Sequence, residues 1–189
     1  SSAASDVYKR QAYDFVIKQP EGNVDPYESY WYASPETYKI EAYLRDGTLL
    51  WRHDLGWSIE RGIWYSPYLA YDLNGDGRAE VIAKTGEGDP RGEDGRVHSG
   101  PERVTVWDGM TGEIIAQADW IPRESIAPTT EGYNLRSRNQ MSIAYVDGRT
   151  PCLLIARGTY TNMVLRAYQL RNGALEELWT WSSAEEGGN

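Results

Sequence analysis

Residues 71–88 read YDLNGDGRAEVIAKTGEG, a run of alternating oxygen-bearing side chains that passes straight into a short apolar segment. Asp72, Asn74, Asp76 and Glu80 fall at positions one, three, five and nine, and the backbone carbonyl of Arg78 falls at position seven. Alternate residues of a tight loop face one centre, and Ca2+ takes about six to eight oxygens at ~2.3–2.6 Å. Gly77 permits the turn that a Cβ would hinder. An EF-hand would place Glu where Ala83 stands and would continue into a helix, whereas Val81-Ile82-Ala83 reads as a buried strand. The stretch is therefore expected to be a calcium loop feeding a strand, with Asp72, Asn74, Asp76, the Arg78 carbonyl and Glu80 as ligands. Mg2+ is disfavoured because it rarely accepts an all-protein cage. The plainer alternative is an Asn/Gly-rich turn without metal.

Working outward, the same unit recurs. Glu80-Val81-Ile82-Ala83-Lys84 aligns with Asp14-Phe15-Val16-Ile17-Lys18 and, more loosely, with Leu153-Leu154-Ile155-Ala156-Arg157. A hairpin signal follows each copy, at Asp46-Gly47, Asp108-Gly109 and Asn172-Gly173. The first and last of these turns lie 126 residues apart, giving a mean period of 63. Several β-rich runs per period, with almost no helical periodicity, predict an all-β chain of β-propeller blades at roughly 12–56, 65–120 and 138–183. Propellers close with about four to eight blades. Three blades are thus expected to be a partial β-propeller, a fragment of a longer protein that folds poorly by itself. The third copy keeps the turn Asp147-Gly148 but lacks the acids of the metal loop, and the first copy's loop should lie upstream of Asp14.

Residues 1–11, SSAASDVYKRQ, lack the apolar core of a signal peptide and resemble a non-native reading-frame end, so 12–189 carries the fold. The net charge of −9 argues against nucleic acid as a general partner. No stretch approaches the ~18 apolar residues of a membrane-spanning helix. A single cysteine, Cys152, excludes an internal disulfide and reads as an inert core thiol. The aromatic set, 14 Tyr and 8 Trp against one Phe, favours rings with a polar edge, which suit stacking on sugars as well as packing between blades.

Candidate chemistry follows from the repeats. Lys18, Lys84 and Arg157 align at the ends of inner strands, so three cations are expected to line one mouth, unless each pairs with a neighbouring blade's acid. YNLRSRNQ (133–140) and ARGTYTN (156–162) add Arg136, Arg138, Asn139 and Tyr160 as carboxylate clamps and a phenol. The acids Glu87, Asp89, Glu93, Asp94 and Glu102 offer a second calcium position or a solvated loop; His98 is a possible acid/base and His53 reads as structural.

The order of motifs TYKIEAYLRDGTLLWRHDLG (37–56), YDLNGDGRAEVIAKT (71–85), SGPERVTVWDGMTGE (99–113), AYVDGRTPCLLIARGTYTNMVLRAY (144–168) and LEELWTW (175–181) resembles the rhamnogalacturonan lyases of polysaccharide lyase family 11. The resemblance covers most of residues 12–183. It implies an eight-bladed propeller with several Ca2+ ions, a monomeric parent that is secreted or periplasmic, and β-elimination at galacturonate in pectic rhamnogalacturonan. Elimination needs the uronate carboxylate neutralised, a base for the C5 proton and a donor for the leaving oxygen. Lys84, Arg138, Arg157 and Tyr160 match those needs by type. The stretch GEGDPRGEDGRVHSG (86–100) departs from the loop expected after this strand. Rival expectations are a non-catalytic calcium-binding β-propeller that binds a glycan or protein, and an inactive lyase-like domain.

Overall fold

The computed structural model describes residues 14–20, 31–62, 64–126 and 132–185. The expectation for residues 1–11 lies outside these. Among the described residues the chain is all-β, with three antiparallel sheets in chain order. The first sheet holds β1 (Phe15–Gln19), β2 (Tyr38–Tyr43) and β3 (Leu49–Gly56). The second holds β4 (Tyr68–Tyr71), β5 (Glu80–Gly86), β6 (Glu102–Asp108) and β7 (Ile114–Asp119). The third holds β8 (Asn139–Ala144), β9 (Cys152–Arg157), β10 (Val164–Arg171) and β11 (Ala174–Ser182). Among the described residues, helix is confined to a one-turn segment, Tyr133–Ser137, and a 3-10 turn, Arg123–Ser125.

Within each sheet every strand pairs with its sequence neighbours, through connections that range from a two-residue turn to the long segments 20–37 and 87–101. The turn after β10 is the shortest. Arg171 pairs with Ala174 across two residues, Asn172 and Gly173, at φ 51° and 76°. A two-residue hairpin loop of this hand requires positive φ at both positions, which Asn and Gly tolerate best.

The sheets stack in series. Ile40, Ala42 and Trp51 of the first pack with Val81, Ala83 and Trp107 of the second, while Ile82, Val104 and Val106 pack with Leu153, Ile155 and Val164 of the third. β5 is therefore covered on both faces: its odd residues meet the first sheet and its even residues the third. That explains the unbroken apolar run Val81-Ile82-Ala83, each side chain of which contributes on the order of 1–3 kcal/mol by burial.

The same face assignments correct the repeat alignment at one point. Lys18 shares its face with Val16 and Lys84 shares its face with Ile82, so both project toward the following sheet. Arg157 shares its face with Leu153 and Ile155 and projects back toward the second sheet. Lys18 and Lys84 are structural equivalents; Arg157 is one residue out of step, and one residue in a strand reverses the face.

Candidate functional site

The meander divides the molecule into two ends. The turns at Asp46-Gly47, 72–79, 109–113, 145–151 and Asn172-Gly173 lie at one end. Contacts between sheets there include Trp51 Nε1 donating to Gly109 O at 2.9 Å and a Tyr71–Tyr145 hydroxyl pair at 2.6 Å. The opposite end carries the segments after β1, β3, β5, β7 and β9, which the Asn139 N–H to Trp64 O bond of 2.7 Å helps tie together. All the catalytic candidates sit at this second end, and the proposed metal loop sits at the first.

Glu102, at the start of β6, is the hub of a buried ion cluster. Its Oε1 lies 2.6 Å from Lys84 Nζ, 2.8 Å from Arg123 Nη2 and 2.6 Å from Arg157 Nη2. Burial alone would raise the Glu102 pKa, but Lys84, Arg157 and Arg123 together hold it down at about 2. Burial works against the Lys84 ammonium, and Glu102 opposes that effect. Lys84 is 5% exposed and Arg157 1%, so neither lines an open mouth. Even with Glu60 acting on Lys84 and Arg123 from farther off, the three cations exceed the acids paired with them among the described residues, where Arg157 Nη1 and Arg123 Nε have no hydrogen-bond partner. Asn139 completes the cluster: its Oδ1 accepts from Trp120 Nε1 at 2.8 Å and Arg157 Nε at 3.1 Å, and its amide donates to Tyr65 O and Ser137 O.

Arg138 and Tyr160 are placed differently. The Arg138 guanidinium carbon stacks 3.4 Å from the Trp64 ring centroid and lies 6.0 Å from that of Tyr160. Its Nε donates to Asn134 Oδ1 at 2.7 Å, and no acid pairs with it among the described residues. Tyr160 is 79% exposed at φ 63°, and Thr161 N–H donates to Thr159 O across it at 2.8 Å. A three-residue turn with positive φ is strained for a bulky residue and persists only where its surroundings impose it. They do here: Asn162 Nδ2 donates to Ser125 O at 2.7 Å, while Asn162 Oδ1 accepts from Ser182, Ser183 and Ala184. Arg136 is buried.

Lys18 is half-buried and has no acid partner among the described residues. Its Nζ donates to the Ser66 carbonyl and lies 3.2 Å from Ser66 Oγ, with the Tyr38 and Tyr68 rings at 4.9 and 4.8 Å. Burial lowers its pKa to about 7. Nearby, Glu60 accepts from Trp31 Nε1 at 2.6 Å and from the Tyr133 hydroxyl, and burial raises its pKa.

At the opposite end, the 72–80 loop folds around its own oxygens. Asp72 accepts from the backbone of Gly75, Asp76 and Gly77 at 2.8–3.0 Å, and Asp76 from Arg78 at 2.8 Å. Buried Glu80 accepts from Leu73 N at 2.7 Å, and Asn74 Nδ2 bridges Glu80 Oε1 at 2.8 Å and Asp76 Oδ2 at 3.2 Å. Burial raises the Glu80 pKa, and Asp76 and Asp72 push it the same way. No cationic side chain forms an ion pair with Asp72, Asp76 or Glu80 among the described residues. The oxygen-rich donor set suits Ca2+ in kind. Among the described residues, however, no three His, Cys, Asp or Glu side chains converge closely enough to hold a metal by themselves, so an ion here would also need Asn74 and main-chain oxygen.

Of the remaining candidates, His53 and Cys152 are packed into the structure and His98 is exposed. His53 stacks on Trp107 at 5.5 Å and bonds Gly112 O at 2.7 Å, and Cys152 is buried. His98 bonds Asp94 at 3.0 Å and meets the Tyr133 ring edge-on. Sequence reasoning put Glu102 among the loop acids and passed over Arg123, Glu60 and Trp64. The register of β6 was the available signal for Glu102, since it shares a face with Val104 and Val106.

The model of the rhamnogalacturonan lyase family 11 C-terminal domain matches residues 1–189. The rhamnogalacturonan exolyase YesX and endolyase YesW of Bacillus subtilis (strain 168) are each 42% identical over 164 residues. Those alignments span 78% of this chain but only 27% and 26% of the two relatives. The crystal structure of exotype rhamnogalacturonan lyase YesX superposes with a TM-score of 0.82 at 36% identity, covering 94% of this chain and 32% of that one. The Bacillus licheniformis rhamnogalacturonan lyase PL11 gives 0.81 at 34% identity, covering 94% and 33%. The chain belongs to rhamnogalacturonan lyase family 11, in its C-terminal domain.

Proposed function

We propose that this chain is part of a rhamnogalacturonan lyase that cleaves the acidic polysaccharide at galacturonate by β-elimination. The observation that carries this reading is the Arg138 guanidinium, stacked on Trp64 beside exposed Tyr160 and paired with no acid among the described residues. A planar cation held flat by a ring keeps its outer N–H groups for a carboxylate. In this reading Arg138 neutralises the uronate carboxylate and so acidifies C5, and the Tyr160 phenol donates to the leaving oxygen. Lys84 and Arg157 act from behind as buried excess charge that draws the polyanion to this end.

Three meander sheets stacked in series support a wider ring, an eight-bladed β-propeller of which these are three blades, in a secreted or periplasmic parent. Ca2+ held by Asp72, Asn74, Asp76, the Arg78 carbonyl and Glu80 would relieve the repulsion among three carboxylates and pin the start of β5. Its contribution is to stability, since it lies at the end opposite Arg138. The test is ultraviolet absorbance of the unsaturated uronate when the full-length protein meets rhamnogalacturonan. Steady growth of that band is expected, and its absence with intact, bound polysaccharide would favour the non-catalytic binding module.

A further inference from the structure

We propose that the Lys18 amine is the proton acceptor of the elimination, occupying at the first sheet interface the place that the second interface fills with an ion cluster. The inference rests on the lyase reading above and assigns a role that reading leaves open, since Lys84 and Arg157 are both engaged with Glu102.

The two interfaces can be compared position by position. Lys84 pairs in register with Val104, and Glu102 stands two residues before Val104. Lys18 pairs in register with Ile40, and Tyr38 stands two residues before Ile40. Tyr38 therefore occupies the position of Glu102, on the same face of its sheet. The cation from the next sheet is gone as well: Arg157 lies on β9 at the position where β5 has Thr85, whose hydroxyl pairs with Thr105 at 2.7 Å. In place of Arg123, the preceding connection presents Ser66. One lysine position thus recurs in two settings, once with a counter-ion and once with rings and a serine.

Chemistry follows from the difference. A lysine without an acid, desolvated by aromatic rings, loses the preference for its ammonium form. Among the described residues, the groups facing Lys18 are Tyr38, Tyr68 and Ser66, with Arg61 close enough to Tyr38 to act on its phenol, and none of these carries a carboxylate. Arg61 Nε has no hydrogen-bond partner, and no ion pair reaches it among the described residues. The Ser66 carbonyl and hydroxyl oxygen accept two N–H groups of the amine, which leaves its lone pair free. The lowering of the Lys18 pKa to about 7 agrees with that picture. In the step, the amine lone pair takes the proton from C5 of galacturonate. The C5–H electrons become the C4=C5 double bond, the C4–O bond breaks, and the departing oxygen takes a proton from Tyr160 or water. The resulting ammonium then returns its proton to solvent.

The experiment is a comparison of full-length wild type, Lys18→Met and Lys18→Arg on rhamnogalacturonan, with thermal unfolding of each. Lys18→Met should lower kcat about 10²- to 10⁴-fold with the melting temperature kept or raised. Lys18→Arg should be as inactive, because arginine keeps the charge but cannot give up its proton. Wild-type kcat/KM should rise through pH about 7 and level off, and the residual activity of Lys18→Met should lack that limb. An active wild type with an active Lys18→Arg, or with the limb intact in Lys18→Met, would overturn the Lys18 assignment alone. A wild type that forms no unsaturated product would overturn the lyase reading and the assignment with it.

Discussion

Lys84 and Arg157 reach one carboxylate oxygen of Glu102 from opposite sheets, each with its charged nitrogen 2.6 Å away. That meeting point joins the second and third sheets and sets their relation at the end where half-buried Arg138 lies.

The first prediction concerns this hub. Glu102→Gln leaves three buried cations without their counter-charge, the arrangement that costs most when one partner of a buried pair is removed. A loss of about 3 kcal/mol is expected. In the full-length protein it should appear as a lower denaturant midpoint, and an unchanged midpoint would mean that Arg123 and Arg157 find other partners.

Acid should reproduce the effect. The folded Glu102 pKa of about 2 lies below its ordinary 4.5. A depressed carboxylate pKa stabilises the fold above the ordinary value, and that contribution disappears as pH falls through the folded one. The stability gap between wild type and Glu102→Gln should therefore be constant above pH 4.5 and shrink toward pH 2. Parallel acid-unfolding curves would show that Glu102 is not the titrating group.

Tyr160 sets stability against function. Its φ of 63° costs a non-glycine residue on the order of 1–2 kcal/mol. Tyr160→Gly relieves that strain while increasing unfolded-state entropy, so the expected change is between zero and a gain of about 1 kcal/mol. Activity on rhamnogalacturonan should fall sharply all the same. Lost stability with full activity would make the turn merely structural.

Arg138→Lys keeps the charge and removes the planar fork and its stack on Trp64. Loss of a contact to developing charge is worth about a hundredfold in rate. A drop of that order in kcat/KM is expected, with a proportionately smaller loss of stability, because half-buried Arg138 gives up its stack on Trp64 and its bond to Asn134 but no ion pair among the described residues. Equal kinetics for the two proteins would remove Arg138 from the site.

For the metal, Asp76→Ala in the full-length protein should lower the melting temperature in Ca2+ and abolish most of its sensitivity to chelator. Identical wild-type melting with and without chelator would leave the 72–80 loop as a turn held by its own backbone bonds.

Much of this was legible in the chain because strand and turn signals are local. Asp46-Gly47 and Asn172-Gly173 announce hairpins through residues that tolerate positive φ, and Val81-Ile82-Ala83 announces a strand covered on both faces. What could not be read is what depends on which face meets which sheet. Arg157 aligns with Lys84 by residue type, yet a one-residue offset turns it toward the opposite neighbour. Glu102 sits at the end of an acidic, glycine-rich loop in sequence, and only pairing with Gly86 brings it under Lys84. Trp64 and Arg138 are 74 residues apart, and nothing periodic links a connecting turn to the start of another sheet. Lys18 looked like one of three equal cations. Its difference lies in Tyr38, whose equivalence to Glu102 appears only through the register of β1 with β2.

The most direct measurement is the mass of the products released from rhamnogalacturonan by the full-length protein. Elimination leaves a C4=C5 double bond on the new non-reducing galacturonate, so each such product is one water lighter than its hydrolytic counterpart. Oligosaccharides with that deficit, formed by wild type and lost in Lys18→Met and Arg138→Lys, are the expected result. Fully hydrated products, or a polysaccharide bound but uncut, would contradict β-elimination at this end of the molecule.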